Sequence, residues 1–517
     1  MIHATPRHWL YGLAAITLAF KLWLSAVFPI TGDEAYFIYW GVVPALGYYD
    51  HPPMIGWWLA LLLKISDAPW LLRLPVTVLP AGMAIALFHV LRRARGDDPD
   101  HESRVALSAI GLLLVPVNVW NVLITTDTPL IFWSFLSGLC FWMAHRSERS
   151  AGVTDARWLL ASGAFLGLAF LSKYFAALLG VAYLATVLLS PRGRRDWRGL
   201  LLVYVASLPF VALNLYWNYE NCWANLMFNL YNRHGDAGLS SRTPLLYLAT
   251  VLYTLSPVAL AVLLRNRSWM SRVREDGALR VLAVIGGVPF VLFAVLSSFK
   301  QIGLHWVLSF VPFFFAAGAF LMSRRVLKAS ALFLGAFSAL HVLAILFTAT
   351  QPIERWQGNR LYDGIVFHFR INDVLAQIKP YESEFEIAAD GYSAAVTATY
   401  YRGRYVFVFG EASSHARHDD IVTDFRKFAG RNIAVLRKSP PEDAQYRPYF
   451  DSVEYRSFEV AGATFHLVLG RGFRYEVYRD RVLRSMRDRY YAMPSYLPRG
   501  HCDFCERYSE GAACPVR

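Results

Sequence analysis

Long apolar stretches alternate with short polar segments over the first two thirds of the chain. A helix that crosses a membrane needs about 20 mostly apolar residues, and about 11 stretches approach or reach that length. These stretches cover residues 10–29, 70–91, 104–123, 128–145, 157–172, 174–190, 199–219, 244–264, 279–298, 303–322 and 327–349. The pattern therefore predicts a mainly α-helical polytopic membrane protein with about 11 transmembrane helices.

The pattern changes after residue 350, where shorter alternating and amphipathic runs replace the long apolar stretches. Residues 1–350 hold 27 basic and 16 acidic side chains, whereas residues 351–517 hold 24 and 22. Strands are predicted at Phe385–Ala389, Tyr405–Phe409, Asn432–Leu436, Val453–Val460 and Thr464–Leu469, and helices at Ser393–Tyr401, Asp419–Ala429 and Tyr475–Tyr491. We therefore expect a transmembrane domain over residues 1–350 and an α/β domain over residues 351–517.

Basic residues indicate which loops face the cytoplasm, because Lys and Arg are enriched on that side of a membrane. They cluster in alternate loops, which places the N-terminus inside and residues 351–517 outside. The run Met54–Ile65 is short for a span, and a crossing there would turn the Arg-rich loop after residue 91 outward. We therefore predict an interfacial helix at the outer surface for this run. The net charge of +13 follows from this topology and does not indicate a nucleic-acid partner.

The first outer loop, residues 30–69, carries an acidic pair at the membrane boundary. The motif T-G-D-E-A-Y places Asp33 and Glu34 directly after the first predicted span. Ionisable residues at such a position usually face a wet cavity or a partner, and a half-buried carboxylate suits a general base. The alternative is that the two acids only delimit the adjoining helix.

A second motif in the same loop, G-Y-Y-D-H-P-P-M, places Asp50 and His51 before two prolines. The prolines suit the first turn of the interfacial helix and fix the backbone there. A carboxylate beside an imidazole can bind a metal, position a phosphate or relay a proton, although such a pair is also common as a structural feature.

The other outer loops add Asp127, Lys173, Arg233, Lys300 and His305. Asp127 lies in T-T-D-T-P, where it would also serve as a helix N-cap, and an isolated Lys173 could simply extend to the interface. Acids and bases on one side of the membrane indicate chemistry on a substrate with a phosphate and an exchangeable hydroxyl.

These motifs, in this order, resemble the GT-C superfamily of membrane glycosyltransferases. The resemblance is to the bacterial branch that is similar to lipid A aminoarabinose transferases and protein O-mannosyltransferases. It rests on T-G-D-E-A-Y-F-I-Y-W, L-G-Y-Y-D-H-P-P-M-I-G-W, T-T-D-T-P-L, F-L-S-K-Y and K-Q-I-G-L-H-W, with A-A-D-G-Y-S-A-A-V-T-A-T-Y-Y in the tail. It implies a GT-C fold with a C-terminal extracytoplasmic α/β domain, in a bacterial inner membrane with the active site on the periplasmic side.

The resemblance also implies an activity. A sugar would move from a polyprenyl-phosphate donor to a hydroxyl or phosphate of lipid A, another envelope glycan or a protein, with membrane lipids around the carrier. The base and the departing phosphate on opposite sides of the sugar predict inversion at its reacting carbon. A lipid or polysaccharide transporter and a glycan ligase are the alternative functions.

The resemblance also implies a role for each residue that occupies a motif position. The implied catalytic residues are Asp33, Glu34 and Asp127, with Asp33 deprotonating or orienting the acceptor hydroxyl. The implied donor-phosphate and substrate ligands are His51, Lys173, Arg233, Lys300 and His305. Asp50 and His51 are candidates for a divalent metal, and no other cofactor is expected. The aminoarabinose branch has a lysine directly before the double proline, whereas this chain has His51.

Cysteines are concentrated near the C-terminus, in H-C-D-F-C-E-R-Y-S-E-G-A-A-C. Cys502, Cys505 and Cys514 beside His501 look like a zinc knuckle, but an oxidising compartment favours disulfides, and Cys222 makes the outer count even. Disulfides, a metal site and free thiols all remain open at this point. Cys140, in the fourth predicted span, is expected to be a small core residue.

Overall fold

The computed structural model describes residues 5–94, 99–151, 154–232, 238–410, 417–508 and 514–515. The chain forms two compact units. The helical unit comprises Met1–Val27, Asp67–Ala212 and Ala237–Ala349, and the sheet unit comprises Phe28–Ser66, Leu213–Asp236 and Thr350–Arg517. The first loop and the C-terminal part thus belong to one unit, although more than 280 residues separate them.

The helical unit is built only from helices and their connections among the described residues. Its α-helices are Pro6–Val27, Pro69–Leu72, Leu74–Arg92, Pro99–Leu113, Val117–Trp120, Asp127–Ala151, Ala156–Phe170, Ala177–Leu189, Trp197–Tyr219, Arg242–Leu255, Pro257–Arg265, Trp269–Glu275, Gly277–Ser297, Val311–Leu321 and Arg324–Ala349. The helix Trp197–Tyr219 continues into the sheet unit from Leu213. A helix therefore lies on each apolar stretch that the sequence identified.

Within the described residues, five of these helices are long and apolar enough to cross a membrane: Pro6–Val27, Leu74–Arg92, Trp197–Tyr219, Gly277–Ser297 and Arg324–Ala349. The stretch predicted as one span over 244–264 is instead two helices that meet at an angle of 101°. The break falls at Ser256, which has a φ of 72° and precedes Pro257, where a proline cannot continue the hydrogen-bonding of the previous helix. The number of about 11 transmembrane helices is still a prediction from the sequence.

Close helix packing in this unit depends on small residues. Gly163 lies against the backbone of Val203, and a Cβ at Gly163 would overlap the Val203 carbonyl oxygen. Gly138 likewise faces the ring of Phe313. Small residues at helix contacts let backbones approach closely, as is common in membrane bundles.

Lys21 is a buried lysine in the helix Pro6–Val27, and its role is structural. Its Nζ donates a hydrogen bond of 3.2 Å to the carbonyl of Val76. Pro80 lies four residues after Val76 in the helix Leu74–Arg92, has no N–H and cannot donate to that carbonyl. Lys21 therefore satisfies the carbonyl that the proline leaves without its helical partner.

We expect Lys21 and Pro80 to be energetically coupled. In a Pro80→Ala background the new backbone N–H can donate to the Val76 carbonyl, so Lys21→Met should cost about 1 kcal/mol less there than in the wild type. A double-mutant cycle on the free energy of unfolding in detergent measures this difference. Additive effects of the two changes would show that Lys21 does not act on this carbonyl.

The sheet unit combines helices with one five-stranded sheet. Its α-helices are Gly32–Val42, Met54–Leu63, Ala224–Met227, Tyr362–Phe369, Ile371–Ile378, Tyr392–Arg402, Asp419–Val422, Tyr475–Tyr478, Arg484–Tyr490 and Asp503–Tyr508. The strands are β1 (Glu386–Ala389), β2 (Phe407–Val408), β3 (Ile433–Arg437), β4 (Phe450–Val460) and β5 (Ala463–Phe473), in the spatial order β2-β1-β3-β5-β4. β1 pairs in parallel with β2 and β3, whereas β5 is antiparallel to β3 and β4.

Alternation along the central strands gives the sheet two apolar faces. On β3, Ala434 and Leu436 belong to the core on one face, and Ile433 and Val435 belong to the core on the other. Side chains point alternately to the two faces of a strand, so a strand buried on both sides reads as a continuous apolar run. All five predicted strands are confirmed, with ends shifted by a few residues.

Two predicted helices of this unit are less regular than expected. The helix predicted over Asp419–Ala429 stops at Val422, and a short 3₁₀ turn, Phe425–Phe428, follows. Asp424 caps that turn, since its side chain accepts from the Arg426 N–H. The helix predicted over Tyr475–Tyr491 is helical but includes a π segment, Arg479–Leu483.

The four cysteines of the sheet unit form two disulfides, Cys222–Cys502 and Cys505–Cys514. The disulfide interpretation is therefore confirmed, and the zinc-knuckle interpretation is wrong, since all four thiols of this unit are used in disulfides. Cys140 is a buried free thiol in the helix Asp127–Ala151, as expected for a small core residue.

Candidate active site

The acidic pair of the first loop divides into one capping residue and one exposed carboxylate. Thr31 is the N-cap of the helix Gly32–Val42, and its Oγ1 accepts from the Glu34 N–H at 3.4 Å. Glu34 Oε2 accepts in return from the Thr31 N–H at 3.1 Å, which completes a capping box. Glu34 is fully buried, whereas Asp33 is exposed. The helix-delimiting alternative therefore describes Glu34, and Asp33 is the acid available to a substrate.

Asp33 is held by a residue from the C-terminal part of the chain. The Tyr392 Oη donates a hydrogen bond of 2.7 Å to Asp33 Oδ1. Burial, followed by the nearby Asp33 carboxylate, raises the pKa of Tyr392 to about 12, so the phenol keeps its proton and remains a donor. The two helix starts meet closely because Gly32 has no side chain, and a Cβ there would overlap Ser393 Oγ.

Asp50 is buried beside Asp33 and has two donors. Its Oδ1 accepts from the Tyr36 Oη at 3.3 Å, and its Oδ2 lies 3.3 Å from an Arg417 Nη1. Burial raises the pKa of Asp50, and the Arg417 charge opposes that rise. The Arg417 guanidinium also lies over the Tyr392 ring, 4.1 Å from its centroid.

These five residues, Asp33, Tyr36, Asp50, Tyr392 and Arg417, form what we call the carboxylate cluster. The sequence identified Asp33 and Asp50 but not the other three as site residues. Tyr392 lies in the A-A-D-G-Y-S motif of the tail, yet nothing in that motif indicates that it meets the first loop. Arg417 lies in no motif that the sequence analysis identified.

The structure gives little support to a divalent metal at Asp50 and His51. Both Asp50 oxygens already face donors, and one of these donors is the Arg417 cation, which would repel a metal ion. The half-buried His51 ring lies near the rings of Phe37 and Trp40, at 6.3 and 6.2 Å. No third His, Cys, Asp or Glu of the described chain joins this pair within ligand distance.

Three predicted site residues of the helical unit come together. Lys173 Nζ lies 3.0 Å from both Asp127 oxygens, and the two side chains are about nine-tenths buried. His305 Nε2 lies 3.9 Å from Asp127 Oδ2, and its side chain is half exposed. We call these residues the ion-pair cluster.

The positions of these residues follow from their elements. Asp127 is the first residue of the helix Asp127–Ala151, where a carboxylate is stabilised by the helix dipole. Lys173 lies in an extended conformation after the helix Ala156–Phe170, and its N–H closes a turn onto Ala169. His305 lies in a 3₁₀ turn, Leu304–Val307.

The ion-pair cluster bears on the predicted role of Lys173 as a phosphate ligand. Its charge is compensated by Asp127, so an incoming phosphate would meet a neutral pair rather than a free ammonium group. His305 has the most solvent-exposed side chain of the three residues. Lys300 is half-buried in the turn after the helix Gly277–Ser297, and Arg233 lies outside the described residues.

Comparisons with known proteins agree with this architecture. Residues 50–217 match the family model of dolichyl-phosphate-mannose-protein mannosyltransferases, which is about a third of the chain. The chain is 26% identical over 291 residues to the lipid A galacturonosyltransferase RgtD of Rhizobium johnstonii. That match covers 55% of this chain and 59% of RgtD, so the chain matches less than two thirds of the length of that relative.

Two solved structures share the fold. ArnT from Cupriavidus metallidurans, bound to undecaprenyl phosphate, superposes with a TM-score of 0.58 at 15% identity over 89% of this chain and 98% of that chain. Its apo structure gives the same TM-score and identity, over 89% of this chain and 97% of that chain. The expected GT-C architecture with a C-terminal sheet is thereby confirmed, and the chain is an integral membrane protein.

Proposed function

We propose that this membrane protein is a glycosyltransferase that moves one sugar from a polyprenyl-phosphate carrier to an acceptor such as lipid A. The observation that carries the proposal is the exposed Asp33 carboxylate, with one oxygen fixed by the Tyr392 hydroxyl at 2.7 Å. The family match, the similarity to a lipid A galacturonosyltransferase and the fold of a protein solved with undecaprenyl phosphate support the same chemistry.

With a hydroxyl acceptor, the step is a single displacement. Asp33 Oδ2 accepts the hydroxyl proton as the hydroxyl oxygen bonds to the anomeric carbon of the donor sugar. The bond from that carbon to the phosphate oxygen breaks, the electron pair leaves with the polyprenyl phosphate, and the configuration inverts.

We also propose that the sheet unit faces the periplasm of a bacterial inner membrane, with the transmembrane domain over residues 1–350. The Lys/Arg-rich loops support a cytoplasmic N-terminus. The first loop and residues 350–517 belong to one compact unit, which supports their exposure on the same side. Two disulfides in that unit favour an oxidising compartment.

The proposal is tested with the purified full chain in lipid nanodiscs for transfer and in sealed lipid vesicles for transport. Polyprenyl-phosphate donors carrying a uronic acid, an amino sugar or a neutral hexose are each incubated with lipid A, an envelope glycan or a protein acceptor. Mass spectrometry should show one acceptor gaining the mass of one sugar, with release of polyprenyl phosphate. A glycan ligase would instead add a whole oligosaccharide, and a transporter would move donors across vesicles without changing any mass.

A further inference from the structure

The carboxylate cluster includes two residues from beyond residue 350, and their placement suggests a role in the reaction itself. Tyr392 begins the helix that follows β1, and Arg417 precedes the helix Asp419–Val422. We infer that Tyr392 and Arg417 are positioning residues that orient the Asp33 carboxylate toward the acceptor hydroxyl. The inference rests on the proposed function and assigns the C-terminal part a direct place in the active site.

The two oxygens of Asp33 differ in their partners. Oδ1 accepts the Tyr392 hydrogen bond at 2.7 Å, and no described residue donates to Oδ2. A carboxylate fixed at one oxygen presents the other in a defined direction, which a general base needs. Tyr392 thus selects which oxygen receives the proton.

Two neighbouring groups hold the Tyr392 ring in place. The Arg417 guanidinium lies 4.1 Å from the ring centroid, and the Tyr36 ring lies 5.6 Å away, edge to face. Both contacts are favourable geometries for an aromatic ring. The phenol therefore has little freedom to rotate away from Asp33.

Arg417 is held by Asp50. Asp50 Oδ2 accepts from Arg417 at 3.3 Å, and Asp50 Oδ1 accepts from the Tyr36 Oη at 3.3 Å. That phenol oxygen accepts in turn from the His418 N–H at 2.9 Å. Asp50 thereby connects to the backbone next to Arg417 as well as to its side chain. The buried Asp50 orients the arginine, the arginine orients the tyrosine, and the tyrosine orients Asp33.

A purely structural network would serve only to attach the first loop to the sheet. The change Tyr392→Phe separates the two roles, since it keeps the ring and the cation–π contact and removes only the hydroxyl. If the network only attaches the loop, this variant transfers sugar at the wild-type rate. If it positions Asp33, the chemical step slows although the protein folds and binds normally.

We expect Tyr392→Phe to lower kcat about tenfold or more, with the KM for donor and acceptor within about twofold of the wild type. The matched control is Tyr455→Phe. Tyr455 Oη donates a hydrogen bond of 2.8 Å to Asp443 on the exposed part of the same unit, and this variant should keep the wild-type kcat. A wild-type kcat for Tyr392→Phe would overturn the inference, as would an equal loss in both variants.

Arg417 gives the second test. Arg417→Met should lower kcat, and Arg417→Lys should restore much of the loss, because lysine keeps a cation for Asp50 and for the Tyr392 ring. Since Arg417→Met leaves a buried carboxylate unpaired, the pair Asp50→Asn with Arg417→Met is measured beside it. If that folded double variant retains the wild-type kcat, Arg417 has no positioning role.

The failure of this inference is distinguishable from that of the proposed function. Wild-type protein that transfers no sugar from any donor contradicts both. An inactive Asp33→Asn variant beside a fully active Tyr392→Phe variant overturns only the positioning role.

Discussion

The variant Asp33→Asn should transfer sugar about 10²–10⁴-fold more slowly than the wild type, which is the usual contribution of a general base. The amide keeps the shape of the side chain and its oxygen can still accept from the Tyr392 Oη, but it cannot take a proton from a hydroxyl. Because Asp33 is exposed, the change leaves no buried charge and should not alter folding.

The matched control for this change is Asp443→Asn. Asp443 also accepts a tyrosine hydroxyl, from Tyr455 at 2.8 Å, and lies in the same unit on an exposed 3₁₀ turn. Initial rates and thermal unfolding of both variants are compared with those of the wild type. Full activity of Asp33→Asn would remove Asp33 from the catalytic role, and equal losses in both variants would indicate a general effect on the unit.

In the first loop, the sequence alone is enough to separate the roles of the two acidic residues. Thr31 and Glu34 have the S/T-x-x-E spacing of a capping box, so the sequence already contained the signal that assigns Glu34 to the helix end. Applying it would have left Asp33 as the single candidate base of that pair. The apolar stretches and the loop charges also predicted a helical membrane protein, because apolar length and loop charge are local features of the chain.

The contacts of Asp33 and Asp50 could not be predicted from the sequence, for a physical reason. Tyr392 and Arg417 lie 359 and 367 residues along the chain from the carboxylates they contact. No local periodicity or spacing encodes such a pairing, since it depends on how the sheet and the loop pack. The ion-pair cluster is similar, because Asp127, Lys173 and His305 come from three stretches that are far apart along the chain.

The sequence contained an indication of the bend at Ser256, but the apolar length of the stretch favoured a straight helix. Ser256 precedes Pro257, and the residue before a proline disfavours the helical conformation. The apolar length of 244–264 favoured one continuous span, and the local backbone restriction prevailed in the structure. Apolar length alone therefore does not distinguish a straight span from a bent pair.

The second large effect is expected at the ion pair of the helical unit. Lys173→Met should lower the free energy of unfolding by about 3–5 kcal/mol, because it leaves the buried Asp127 carboxylate without its cation. The double variant Asp127→Asn with Lys173→Met removes both charges, so it should recover most of that loss. Denaturant titration in detergent measures both values.

A control on an exposed pair shows whether burial is the cause. Arg484 lies 3.4 Å from Asp480, both side chains are about two-fifths exposed, and Arg484→Met should cost less than about 1 kcal/mol. A similar cost for Lys173→Met would contradict the expected dependence on burial. The folded double variant then tests function separately. If the pair helps to bind the donor phosphate, this variant should show a raised KM for the polyprenyl-phosphate donor, whereas an unchanged KM would confine Asp127 and Lys173 to a structural role.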